Sequence, residues 1–226
     1  MNIHRATLED CEKESDTVVV IDVLRAFTTS AFAFAQGAYE IALASTVEEA
    51  FRLKDRFPDS LIMGEVSGHP VDGFDFGNSP TALLGVDLAG KRLIQRTSAG
   101  TQGVVRSRAR NILTTGLCTL TGTLTQIKRL NPESVTLVQT GVFPGGRGDE
   151  DVACADLIEA RLRGEAADLE SIKNRVRDSV DASFHLDSNF KSFPFSDLTM
   201  SMEIDRFDFG MMVQAEDGLL LLRQVS

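Results

Sequence analysis

The chain has 226 residues, 42% of them hydrophobic, which suits one large folded domain and is too apolar for disorder. Against 33 acidic residues stand 23 basic ones, a formal net charge of -10, which argues against a nucleic-acid or anionic-membrane partner while leaving room for a locally positive pocket. The absence of Trp and the single Tyr argue against an aromatic stacking platform.

The first 16 residues carry acids and no apolar signal core, and no apolar run approaches the roughly 20 residues needed to span a bilayer. Three widely spaced cysteines, Cys11, Cys118 and Cys154, without a Cys-x-x-Cys pair, read as free thiols in a reducing compartment. Cys118 and Cys154 sit in apolar helical patterns and read as core. The expectation is a cytoplasmic protein without membrane or nucleic-acid partners.

Thr17–Ile21 is a β-branched apolar run, the pattern of a strand buried on both faces. It ends in Asp22-Val23-Leu24-Arg25, and a mostly buried helix is expected over Ala26–Gln36, stopped by Gly37. A short strand follows at Ile41–Ala44. Thr46 caps a helix with Glu48 and Glu49 in its first turn, running to about Phe57 before Pro58. Leu61–Met63 is a strand, Gly64–Gly77 a polar Gly-rich loop, and Asn78-Ser79-Pro80 a helix entry. Strands are then expected at Arg92–Gln95 and Asn111–Thr114 around a helix at Gly100–Ser107. An amphipathic helix covers Leu117–Leu130, a strand Ser134–Gln139, a Gly-rich loop Gly141–Gly148, and a helix opens at Asp149-Glu150-Asp151 and runs to about Arg163.

Residues 165–205 are charged and helical without a clear strand, an insertion or appendage within one domain spanning 1–226. Phe207–Val213 and Leu219–Val225 around Glu216-Asp217-Gly218 form a hairpin signal, expected to add antiparallel edge strands. The Leu219–Leu222 run is poor material for a solvated edge, so a cover is expected, a second subunit among the candidates. The alternation predicts a three-layer α/β/α fold with a largely parallel, mixed sheet.

Four polar loops follow four predicted strands, and in a parallel sheet such loops converge at one edge. The first holds Asp22 and Arg25; an acid and an arginine so placed can hold a metal and a phosphate, or the acid can simply cap the next helix and pair with the arginine. The second holds Glu65 and Asp72–Pro80. In the third, Arg96-Thr97-Ser98-Ala99-Gly100-Thr101, small residues and hydroxyls suit an oxyanion, and an ordinary capped turn has the same composition. It lacks the Gly-Lys-Ser/Thr of a Walker loop, and Gly145-Gly146-Arg147-Gly148 lacks dinucleotide-fingerprint spacing. Asp22, Glu65, Glu150 and Asp151 are candidate oxygen ligands for Mg²⁺, while Asp149 is explained by the helix dipole alone. His4, His69 and His185 show no paired metal spacing; His69 reads as a surface histidine before a substrate contact.

At these residues the chain resembles the 2-phosphosulfolactate phosphatase family. The matching elements are Asp22-Val23-Leu24-Arg25-Ala26 with Thr28-Thr29, Gly64-Glu65, Gly77-Asn78-Ser79-Pro80, Thr97-Ser98-Ala99-Gly100-Thr101 and the loop ending in Glu150-Asp151, in the family's order over about residues 15–155. The resemblance implies an α/β/α fold and Mg²⁺-dependent hydrolysis of a phosphate monoester, the family's named substrate being 2-phospho-3-sulfolactate on a route to coenzyme M. The family often has Thr-Thr-Asn-Gly-Thr where this chain has Ala99; losing the amide removes two donors and an acceptor, which bears on the substrate more than on the reaction. The long segment after Gly164 is a second departure from the resemblance.

The reading is a Mg²⁺-dependent phosphatase for a small anionic phosphoester, forming homo-oligomers. Asp22 and Glu65 hold Mg²⁺, and Glu150 and Asp151 complete the metal site or orient water. Arg25 and Arg96 clamp the phosphate or a second anionic group. Thr97, Ser98, Gly100 and Thr101 cradle the oxyanion, and Asn78 and Ser79 border the pocket. Water attack is favoured over a covalent Asp22, because Leu24 stands where a haloacid-dehalogenase-type second acid would be. The alternative is a non-catalytic anion-binding or regulatory protein on the same scaffold.

Overall fold

The structure, a computed structural model, describes residues 1–13, 16–142 and 147–226. In chain order its elements are β1 (Asn2–Thr7), β2 (Thr17–Ile21), α1 (Ala26–Ala35), β3 (Glu40–Leu43), α2 (Val47–Arg56), β4 (Leu61–Gly64), β5 (Arg92–Arg96), α3 (Gly100–Arg106), β6 (Asn111–Thr115), α4 (Leu120–Leu130), β7 (Ser134–Gln139), α5 (Asp149–Arg163), α6 (Leu169–Arg177), α7 (Ser183–Leu186), α8 (Phe195–Ser201), β8 (Gly210–Glu216) and β9 (Leu219–Val225). Two 3-10 turns lie at Thr81–Leu83 and Leu117–Thr119.

The strands form one mixed sheet in the order β1-β7-β2-β6-β8-β9-β3-β5-β4. Five pairings are parallel (β1–β7, β2–β7, β2–β6, β3–β5, β4–β5) and three antiparallel (β6–β8, β8–β9, β3–β9). Side chains alternate across a strand, and β2 is apolar on both sides. Val18 and Val20 enter one core with Phe27 and Ala31 of α1 and Val104 of α3. Val19 and Ile21 enter the opposite core with Leu120, Leu124 and Ile127 of α4 and Ala153, Leu157 and Ile158 of α5. A smaller core under α2 joins Ala50 and Leu53 to Ala42, Ile62 and Ile94. These are the expected three layers. Cys118 and Cys154 lie in the cores as expected, and Cys11 is buried as well.

The hairpin is real but lies in the interior of the sheet, correcting the edge placement. Its Asp217-Gly218 turn has positive φ at both residues (50° and 76°), the signature of a type I′ connection, and Glu216 pairs with Leu219. β8 pairs with β6 and β9 with β3, so the hairpin joins two parallel blocks. The cover for the leucine run is therefore β3 of the same chain, with Ile41 opposite Leu222 and Ala42 opposite Leu221, and the run supplies no argument for a second subunit. Strand β1, half exposed and polar, has no clear sequence signal and forms one edge. The appendage is helical as expected, as α6, α7 and α8. Among the described residues no helix is long and apolar enough to cross a membrane.

Candidate active site

The four loops after β2, β4, β5 and β7 meet, but not as neighbours on one edge of a parallel sheet. β2 runs parallel to β7 and β4 to β5, while the three antiparallel pairings through β8 and β9 make these two blocks run in opposite senses. The loops after all four strands line one shared cavity of about 440 Å³. Asp22, Leu24 and Arg25 line it from the β2–α1 turn, and Glu65, Ser67, Gly68, His69 and Asn78 from the segment after β4. Ser98 and Ala99 come from the β5–α3 turn, and Gly141, Arg147, Glu150 and Asp151 from the β7–α5 connection. The remaining wall is Asp181, Phe184, His185, Phe190 and Phe193, all from the appendage. Gly145 and Gly146 of the Gly-rich loop lie outside the described residues.

Four buried acids line this cavity: Asp22, Glu65, Glu150 and Asp151. Asp22 caps α1, its Oδ1 accepting the Ala26 N–H at 2.9 Å. Burial raises its carboxyl to about 6; the Ala26 N–H opposes this and the charge of Glu65 adds to it. Glu150 is pushed up to about 7 by burial and then by the Asp181 charge, and its Oε2 is buried without a partner among the described residues. Asp151 is held well above the usual range by burial and by the charges of Glu150 and Asp22. Both its oxygens accept backbone N–H groups, from Val23 at 2.9 Å and from Gly141 at 2.7 Å, so it also ties the end of β2 to the end of β7.

Glu65 is fully engaged. Its oxygens accept the Ser98 N–H at 2.5 Å, the Gly68 N–H at 2.5 Å and the Ser98 hydroxyl at 3.1 Å, locking the β4 and β5 loops together. Arg96 donates to the Glu65 carbonyl at 2.8 Å and does not line the cavity. Thr97 and Thr101 are buried and bond each other, the Thr97 N–H to Thr101 Oγ1 at 2.9 Å and the Thr101 N–H to Thr97 Oγ1 at 3.0 Å. They pin the start of α3, as in the capped-turn reading. Gly100 abuts Asp22: a Cβ there would stand 2.7 Å from Asp22 Oδ2. Asn78 lines the cavity, 7% exposed, with its Oδ1 unpartnered among the described residues. Ser79 lies off the cavity and donates to Asp197 at 2.8 Å.

Arg25 does not take Asp22 as its hydrogen-bonded partner. Its Nη1 donates to Asp197 Oδ2 at 2.8 Å and to the Ser192 carbonyl at 2.7 Å, and its guanidinium lies 4.4 Å from the centre of the Phe193 ring. Sequence reading missed Asp197, Asp181 and the phenylalanine wall, because they lie in a segment without strand-end motifs. Arg147 pairs with Asp181 and lies over Phe184. His185 is buried, and its Nδ1 meets the Pro194 carbonyl at 3.0 Å, so Nδ1 carries the proton. Burial holds its pKa below the usual value. His69 is exposed and borders the cavity.

Among the described residues no group of three or more His, Cys, Asp or Glu side chains is placed to hold a metal ion by itself. The donors present are hard oxygens: Asp22, Asp151, the orphaned Glu150 Oε2 and the orphaned Asn78 Oδ1. That set fits Mg²⁺, which takes one or two carboxylates and completes its shell with water and phosphate.

Comparison with known proteins identifies the family. A family model described as 2-phosphosulpholactate phosphatase matches residues 3–209. A Bacillus subtilis protein named "Probable 2-phosphosulfolactate phosphatase" is 34% identical over 207 residues, 90% of this chain and 89% of its own length. Proteins of the same name are 35% identical in Deinococcus radiodurans (65% of this chain, 62% of the relative) and 33% identical in Prochlorococcus marinus strain MIT 9303 (80% and 74%).

Proposed function

Because this chain belongs to the 2-phosphosulfolactate phosphatase family, we propose that it is a Mg²⁺-dependent phosphatase hydrolysing a small anionic phosphate monoester, 2-phosphosulfolactate or a similar phosphorylated hydroxy acid. The observation that carries this reading is the meeting of Asp22, Glu150 and Asp151 with Arg25 in one cavity.

Phosphoryl transfer asks chiefly for positioning and charge neutralisation. Arg25 meets the phosphate: Nη1 is held by Asp197 and Ser192, and no described residue takes Nε or Nη2, which leaves a two-pronged donor for an oxyanion. Glu150 orients the attacking water and takes its proton through Oε2; a carboxylate raised to about 7 suits proton transfer near neutral pH. Asp22 would hold Mg²⁺ together with Asp151, whose pKa the Asp22 charge helps to raise. When bound, the ion supplies positive charge against the phosphate oxygens and offsets the repulsion between the acids. Asn78 offers an amide to the substrate, and Glu65 keeps the two loops at their spacing.

Asp22→Asn tests the assignment. The variant keeps the oxygen that caps α1, so the fold should persist, while phosphate release should fall about a hundredfold or more. Wild-type turnover in folded D22N would remove Asp22 from the chemistry. A second reading, anion binding without turnover, draws on Ala99, whose methyl lines the cavity where the family often carries an amide. It predicts phosphate binding with no release from any ester.

A further inference from the structure

The appendage supplies the carboxylate that holds Arg25. Asp197 of α8 is completely buried, and Arg25 is 4% exposed. Asp197 Oδ2 accepts Arg25 Nη1 at 2.8 Å; Oδ1 accepts the Ser79 hydroxyl at 2.8 Å and the Thr81 N–H at 3.0 Å. One side chain thus joins α8, the 79–81 segment and the start of α1. The other holds on Arg25 come from the same stretch, the Ser192 carbonyl at 2.7 Å and the face of Phe193. Asp197 itself does not line the cavity, whereas Arg25 and Phe193 do.

A buried ion pair adds little net stability over an apolar pair of the same shape, because desolvation offsets the attraction. What it does supply is orientation. A guanidinium is a planar fork, and fixing one nitrogen and one face fixes where the other nitrogens point. We propose that Asp197 is a positioning residue: it fixes the Arg25 guanidinium so that its unclaimed nitrogens meet the substrate's phosphate, making the helical appendage part of the phosphate site. This rests on the assignment of Arg25 as the phosphate ligand.

The test is a double-mutant cycle on the full chain, using D197N, R25Q and R25Q/D197N. Two quantities are read with Mg²⁺ present: inorganic phosphate affinity by calorimetry, and KM and kcat on the best ester of a small panel. D197N should weaken phosphate binding and raise KM about five- to tenfold, with a smaller change in kcat, and should have no further effect in the R25Q background. If D197N does not fold, S79A removes one donor to Asp197 from outside the cavity, and should shift phosphate affinity in the same direction by a smaller factor that disappears with R25Q. Equal weakening in both Arg25 backgrounds, unchanged affinity in the folded variant, or no phosphate binding by the wild type would each overturn the proposal. Phosphate binding by wild type without turnover of any ester would overturn the phosphatase reading instead, and the binding cycle would then decide on Asp197.

Discussion

Gly100 has no side chain where Asp22 leaves no space for one. An added Cβ would meet Asp22 Oδ2 and Ala26 Cβ, each at 2.7 Å. Gly100→Ala should therefore displace the Asp22 carboxylate or the turn that carries it. The expected cost is about 1–3 kcal/mol of stability, read by urea unfolding, with at least a tenfold loss of kcat/KM. Unchanged kinetics would mean that Asp22 can shift without consequence. The same turn marks the limit of sequence reading at this scale. Thr97, Ser98 and Thr101 have the composition of an anion cradle, yet their donors are spent on one another and on Glu65. Composition counts donors; only the fold shows which remain free. Asp22, Arg25, Glu150 and Asp151 were legible because each sits at a strand end or helix start. Asp197 was not, because its partner lies 172 residues away.

At the scale of elements, the strands and helices were legible from periodicity and punctuation, whereas their order in the sheet was not. The β8–β9 hairpin shows why. Its type I′ turn and apolar strands are local signals, but pairing with β6 and β3 is a long-range choice between two parallel blocks. Two predictions follow from the interior placement. Leu222 is fully buried between Ile41 and the inner core, so Leu222→Ala should cost about 2–5 kcal/mol in urea unfolding, where an edge position would give much less. Glu40 of β3 clamps its neighbours, accepting from Arg92 Nε of β5 at 2.6 Å and from Arg223 Nη2 of β9 at 2.8 Å. Burial alone would raise its carboxyl, but hydrogen bonds from Arg223 and Arg92 outweigh this and hold it below the usual carboxylate range. A depressed folded pKa gives stability that is full above the unfolded value and is lost as pH falls through the folded one. Glu40→Gln should therefore cost about 2 kcal/mol at pH 7, and the gap to wild type should close as pH falls below about 4. A gap independent of pH would place the effect in packing rather than charge.

At the scale of the whole molecule, the proposed function asks an acidic chain to build an anion site by local arrangement. The parallel strands bring acids from β2 and α5 to one edge, and the appendage closes the far side with Asp181, Phe184 and Phe193 while clamping Arg25 through Asp197. Without a cation, the crowding of carboxylates would repel a phosphoester; under the proposed function Mg²⁺ resolves this, with the same acids as its holders. The central claim is thus that turnover depends on that ion. The most direct measurement is phosphate release by the purified protein from 2-phosphosulfolactate and a small panel of phosphoesters, with Mg²⁺ and with a chelator. The account predicts release that needs Mg²⁺, is abolished by chelation and is restored by added Mg²⁺. Release that persists undiminished in chelator, or no release from any ester by folded protein, would contradict it.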